Sequence, residues 1–356
     1  MEITEFTGLP NTSTKQMSNQ EIHPGSHAMA GGSHGVMARA YFRVKPFIPR
    51  SFRWVLRRIR IPTIMRRSAG VWPIDETAGG KPAGWNGWPD GKQFALVFTH
   101  DVESEEGLGK TRNLADLEMA FGFRSSFNFI PEGSYEDPVR LRKWLEENQF
   151  EVGVHDLNHD GHLYESREIF SRKARIINGY LGKWGAVGFR SGFMLRQLDW
   201  LHDLNVLYDT STFDTDPFEP QPEGSHTIFP FHVKPPADVK GPGYVELSYT
   251  LPQDSTLFLL LREKTPEIWK RKLDWIAQHG GLALVNIHPD YIDFSGSGNS
   301  STCYPASLLN EFMEYIRTKH HGNYWNPLAR DLASWYRNQS ASVDTHSDME
   351  PVRDRS

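Results

Sequence analysis

The sequence predicts an α/β fold, a closed or nearly closed β/α barrel preceded by a basic arm. Two patterns carry this expectation. Seven short apolar runs fall between residues 94 and 287, most of them separated by helical patterns, and such alternation implies parallel strands joined by crossover helices. Just past five of these runs stand His, Asp, Glu and Arg residues, where a β/α barrel gathers its functional groups at one mouth. A hydrophobic content of 38%, with 11 Trp and 21 Phe, supplies a sizeable core. Barrels of roughly 250 residues form one domain, so the chain's length does not demand two.

In chain order, residues 1–38 are rich in Gly, Ser, His, Thr and Asn without apolar periodicity and read as a disordered leader, with Met17, Met29 and Met37 as alternative starts. Residues 39–90 form a basic arm and a Pro/Gly/Trp linker. From Arg39 to Arg67 the arm carries ten Lys and Arg and no acid, which leaves the rest of the chain at a formal −15. Its "PFIPRSFRWVLRRIRIP" reads either as an amphipathic segment on an anionic membrane surface or as an arm packed on the acidic body. The barrel spans 91–337. Its strand candidates are "FALVF" (94–98), "SSFNFI" (125–130), "FEVGV" (150–154), "AVGF" (186–189), "NVLYD" (205–209), "YVELSY" (244–249) and "LALVNI" (282–287). Helical patterns lie at "RNLADLEMAFG", "DPVRLRKWLEEN", "SREIFSRKARIINGYLG", "RQLDWLHDL" and "TPEIWKRKLDWIAQHGG". Asp137-Pro138 reads as an N-cap and Gly280-Gly281 as a C-terminal stop. The polar stretch 338–356 reads as a disordered tail.

Composition excludes several functions. A formal net charge of −5 argues against nucleic-acid binding. A lone Cys303 excludes a disulfide framework and a thiolate-rich metal site, so metal chemistry here falls to His, Asp and Glu. The N-terminus lacks a basic segment followed by an apolar one, and no apolar run reaches the ~18 residues of a membrane span, so an intracellular protein is expected.

The strand ends deliver Thr99-His100-Asp101-Val102-Glu103, "HDLNHDGH" (155–162), Arg190-Ser191-Gly192, "TSTFDTDPF" and His288-Pro289-Asp290. His155 and His159 are four apart, so one helical turn closed by Gly161 would put both imidazoles on one side, a spacing suited to a divalent metal. The plainer reading is two solvated loop histidines. A carboxylate from another strand would complete a two-His-one-carboxylate site with open positions. His162, past the glycine, is expected to be exposed or to face substrate.

These residues, over about 94–295, resemble the polysaccharide deacetylases, carbohydrate esterases of the NodB homology type, whose fold is a distorted (β/α)7 barrel. The family's Thr-Phe-Asp-Asp-Gly falls on Thr99 to Glu103 and its His-(Ser/Thr)-x-x-x-His type metal motif corresponds to His155 and His159. Its Arg-x-Pro-Tyr falls on Arg190 to Phe193, its aspartate-rich motif on Asp209 to Asp216, and its Leu-x-x-x-His-Pro on Leu284 to Pro289. The resemblance implies Asp101 as general base held ionised by Arg190, and Glu103, His155 and His159 as ligands of a divalent metal, zinc first, with cobalt, nickel or iron as alternatives. It implies a backbone N–H near Phe193 as oxyanion donor and His288 as acid, oriented by an aspartate of the fourth motif, taken as Asp214. Two departures stand out: Val102 occupies the family's metal-binding Asp position, moving the carboxylate to Glu103, and Gly192-Phe193 replace Pro-Tyr.

The expected function is therefore metal-dependent removal of an N-acyl group, acetyl first, from an amino sugar of a glycan or a lipid- or nucleotide-linked precursor at the inner membrane face. A non-catalytic sugar-binding barrel and a hydrolase of another C–N bond, such as a cyclic amide, are the alternatives. A non-haem iron oxygenase shares the ligand set but has no use for an acid and base pair.

Overall fold

The computed structural model describes residues 50–237, 239, 241–296 and 302–347; the leader read at 1–38, the first part of the basic arm at 39–49 and the tail past 347 lie outside them. Helix α1, Arg50–Arg67, comes first. Ile61 and Ile64 pack on the core, and the Arg57 and Arg58 guanidinia donate to the carbonyls of Phe218 and Leu259 at 3.2 and 2.7 Å. The opposite face, with Ile59, Arg60, Thr63, Arg66 and Arg67, is exposed.

The barrel follows as β1 (Phe94–Val102), α2 (Glu105–Phe121), β2 (Ser125–Phe129), α3 (Val139–Glu147), β3 (Glu151–His155), α4 (Arg167–Trp184), β4 (Gly188–Arg190) and β5 (Tyr208–Asp209). Then come β6 (Phe231–Val233), β7 (Tyr244–Glu246), a π-helical turn at Ser255–Leu260, α5 (Glu267–His279) and β8 (Leu282–Ile287). A small ladder of β9 (Ile292–Asp293) and β10 (Tyr304–Pro305), then α6 (Ser307–Lys319), β11 (Tyr324–Trp325) and α7 (Ala329–Ser347) complete the described chain.

Local chemistry sets most boundaries. Ser104 and Ser166 cap α2 and α4 with their side chains, and Gly122, Gly185 and Gly280 end α2, α4 and α5 in the left-handed conformation that glycine adopts without strain. Asp137 does not cap α3 as expected, because its carboxylate is taken by Arg142 at 2.8 Å and Lys183 at 2.9 Å. The helix expected in "RQLDWLHDL" shortens to a 3-10 turn at Leu198–Asp203. Helix α7 runs past 338, where a disordered tail was expected; Ala329, Leu332 and Ala333 anchor its start in the core.

Of the eight parallel strands in the main sheet, seven run in the order β8-β1-β2-β3-β4-β5-β7, the seven that the sequence predicts, and β11 adds parallel to the start of β1. The ring is distorted. Between β7 and β8 only an isolated bridge, Leu251 to Val285, stands in for a ladder, and β6 adds antiparallel to β7. Along β1 the side chains alternate: Phe94, Leu96 and Phe98 pack outward against the helices, while Ala95 and Val97 fill the interior with Tyr208, Val245 and Leu284. Trp88, Trp325 and Trp335 pack into this interior cluster.

Candidate metal centre and active site

The period-two alternation of β1 decides which titratable groups enter the barrel. Thr99 and Asp101 continue the inward face of Ala95 and Val97, whereas Val102 packs outward into the wall. His100 also points outward, where its Nε2 meets Glu118 of α2 at 2.7 Å in a buried pair that Ser125 joins. It supports the α2–β1 packing and takes no part in the site.

Asp101 is nearly fully buried and saturated with donors. Its Oδ1 accepts from Asn128 on β2 at 3.0 Å and from Arg190 at 3.3 Å; its Oδ2 accepts from Asn286 on β8 at 2.7 Å. Burial alone would raise its pKa, yet the Arg190 guanidinium, then His155 and His288, outweigh burial and hold the carboxyl well below its ordinary range. Arg190 is fixed in turn by Thr99 Oγ1 at 3.0 Å and by the Thr210 carbonyl at 3.0 Å. Asn128 and Asn286 have a sequence signal only in hindsight: each is the lone amide in an apolar run and pairs beside β1 residues at its C-terminal end.

Three donors converge on one point among the described residues: Glu103, His155 and His159, whose ligand atoms all lie within 4.8 Å of one another. His155 ends β3, and its Nδ1 faces the Arg190 carbonyl at 3.1 Å. A carbonyl only accepts, so Nδ1 carries the proton and Nε2 presents a lone pair. That Nε2 is buried without a hydrogen-bond partner. Glu103 Oε1 stands 3.2 Å from His159 Nε2. Two ligands of a tetrahedral ion, each about 2.0–2.1 Å from it, lie about 3.3 Å apart, so this donor set fits a divalent ion such as zinc.

The two histidines do not meet through a helical turn, as their spacing suggested. His155 belongs to a strand, and Asp156, His159 and Gly161 have φ of 56, 54 and 82°, so a left-handed turn swings His159 back over the strand end. The rings lie 4.8 Å apart, and His159 packs on Phe193 at 4.2 Å. A Cβ on Gly192 would sit 2.4 Å from Asp156 and 2.8 Å from His159, so only glycine lets the β4 turn approach this loop. His162 stands apart, half-buried and paired with Glu165 at 3.4 Å.

Opposite the histidine pair, His288 follows β8. Asp254 takes its backbone N–H at 2.9 Å and its Nδ1–H at 2.7 Å, which aims Nε2 at Asp101 Oδ2, 3.9 Å away. Burial opposes the imidazolium, but the Asp254 charge and hydrogen bond prevail and raise the pKa to about 10, so His288 is protonated at neutral pH. Asp214, expected in Asp254's role, is not there: its buried carboxylate pairs with Lys272 of α5 at 2.7 Å. The sequence offered an aspartate-rich loop as the obvious source, whereas Asp254 sits in a segment with no motif.

Solved structures share the fold that carries this site. A Mycobacterium smegmatis protein assigned as a polysaccharide deacetylase superposes with a TM-score of 0.55 over 73% of this chain and 96% of its own, at 18% identity. The chain carries the polysaccharide deacetylase fold. A peptidoglycan deacetylase from Bacillus subtilis (TM-score 0.42, 9% identity, 74% of this chain and 100% of its own) is also similar. So is a CE4 family pseudoenzyme from Bacillus anthracis (0.42, 12%, 69% and 66%). No family model and no curated protein matches the sequence.

Proposed function

We propose that the protein is a metal-dependent hydrolase that removes an N-acyl group, acetyl in the first instance, from an amino sugar of a glycan or glycan precursor. One observation carries this reading: the Asp101 carboxylate, bonded by Arg190, and the His288 imidazole, bonded by Asp254, stand 3.9 Å apart beside a three-donor pocket whose His155 Nε2 is presented as a lone pair. Glu103, His155 and His159 would hold the ion. A divalent ion there would lower the pKa of a water and polarise the acyl carbonyl.

The chain's own residues divide the proton work. Asp101 is ionised at any working pH and accepts a proton from the attacking water. The donors that keep it ionised also make it a weak base, which is why it stands beside a metal pocket. His288, charged at neutral pH, delivers a proton to the amine as the C–N bond breaks, a step worth roughly 10²–10⁴-fold. Asp254 and Arg190 orient the pair.

The test is release of acetate from N-acetylated amino-sugar oligomers and sugar conjugates by zinc-loaded protein, with Asp101→Asn alongside. The variant should lose at least about 10²-fold in kcat while retaining one zinc per chain by elemental analysis. Protein that binds no divalent ion, or an Asp101→Asn variant that turns over normally, would refute the reading. Zinc binding without turnover of any N-acyl sugar, with cleavage of cyclic amides, would move the chemistry to another C–N bond.

The partner surface is proposed on separate grounds. The outward face of α1, with Arg60, Arg66 and Arg67 around an Ile59 that is 71% exposed, suits an anionic lipid headgroup layer. A site at the inner membrane face with a lipid-linked sugar would follow. No helix among the described residues is long and apolar enough to cross a membrane.

A further inference from the structure

Glutamate carries one more rotatable bond than aspartate, so a Glu ligand needs restraint that an Asp in the preceding position would not. The turn after His288 supplies it. Asp290 accepts the Glu103 backbone N–H at 3.0 Å through Oδ2 and the Ser104 hydroxyl through Oδ1. Ser104 is the N-cap of α2, accepting from Gly107 N at 3.4 Å. A Cβ on Gly107 would fall 2.0 Å from Asp290 Oδ2, so the first turn of α2 leaves this carboxylate its place. Tyr291, next along, donates its hydroxyl to Glu103 Oε2 at 2.9 Å. A phenol has one proton to give. Spent on Oε2, it leaves Oε1 to face His159 at 3.2 Å.

We propose that Tyr291 and Asp290 are positioning residues that fix Glu103 as a one-oxygen ligand of the divalent ion, Tyr291 through the side chain and Asp290 through the backbone. One turn on β8 thereby supplies the acid, His288, and the clamp on the metal carboxylate. The inference rests on the metal site proposed above. Outer hydrogen bonds of this kind change metal affinity by about 10- to 100-fold when removed.

The experiment is zinc competition against a chromophoric chelator, with the cobalt-substituted visible spectrum as a second readout. Purified full chain is compared with Tyr291→Phe, Asp290→Asn, Glu103→Gln and the Tyr291→Phe/Glu103→Gln double variant. Tyr291→Phe should weaken zinc about 10- to 100-fold, because Glu103 loses the bond that orients it, and should alter the cobalt bands, because both its oxygens are then free to face the ion. In the Glu103→Gln background the same change should have little further effect, a coupling that a merely structural tyrosine would not show. Asp290→Asn, which keeps one acceptor oxygen, should weaken zinc by a smaller factor. Wild-type affinity and an unchanged cobalt spectrum in Tyr291→Phe would overturn the proposal. Failure of the wild-type chain to bind zinc at all would instead overturn the metal reading beneath it.

Discussion

His288 is charged at neutral pH chiefly because of one neighbour, with Glu103 and Asp101 adding to its pull, and that dependence can be measured. Asp254 contributes a carboxylate at 2.7 Å from Nδ1, and Tyr304 braces the same carboxylate at 2.9 Å. In Asp254→Asn the largest opposing charge is lost while an acceptor oxygen remains, so burial, which favours neutral imidazole, gains on Glu103 and Asp101 and the pKa falls from about 10 toward the ordinary 6.5. The acid form is then lost at lower pH, and the alkaline limb of kcat/KM should move down by at least about one unit, with roughly tenfold less activity above it. A pH–rate profile on the zinc form measures this; an unmoved alkaline limb would show that His288 is not the acid. At this scale much of the site was legible. Asp101, Glu103, His155, His159, Arg190 and His288 all stand at strand ends, and the structure brings them together. What the sequence hid are residues that act through others: Asn128, Asn286, Asp254 and Tyr291 carry no spacing signal, because their partners come from other elements, and Asp290, though it stands at a strand end, gave no sign of its role there.

The elements around the site show where local patterns mislead. The HxxxH spacing fits a helix, but the chain there leaves a buried strand, and three left-handed residues do what a helical turn would have done. Strand positions were read well because buried parallel strands are continuous apolar runs, while β6, three residues long and antiparallel, had no such signature. The Asp214–Lys272 pair belongs to this level too, since it ties the loop after β5 to helix α5 with both side chains fully buried. Burial outweighs the pull of Lys272 and raises the Asp214 pKa to about 6, so the pair is held at a desolvation cost. Lys272→Met should therefore destabilise the fold by about 3–5 kcal/mol in urea unfolding, while Lys272→Met/Asp214→Leu recovers most of that loss. Zinc affinity should be unchanged in both. A zinc site that weakened as much as in Glu103→Gln would return Asp214 to the active site.

At the scale of the whole molecule, charge is divided between α1 and the acidic body. Along the described part of the arm, the inner face of α1 packs on the body, with Arg57 and Arg58 donating to backbone carbonyls of the segments that leave β5 and β7. The outer face is not used that way: Arg60, Arg66 and Arg67 are exposed beside Ile59, and α1 contains no acid. Each arginine near an anionic bilayer is worth about 1 kcal/mol, so replacing all three by Gln should cost about 3 kcal/mol, or roughly 100-fold in partition coefficient. Flotation of the full chain with vesicles containing phosphatidylserine should show binding that fades with added salt, as screening shortens the reach of these charges. Vesicles of phosphatidylcholine alone should leave it in solution, and the triple variant should match that result while keeping its zinc. Ile59→Ser should weaken flotation without changing its salt slope, because burial of that side chain is apolar. Equal recovery from charged and neutral vesicles, or none from either, would confine α1 to its role on the barrel.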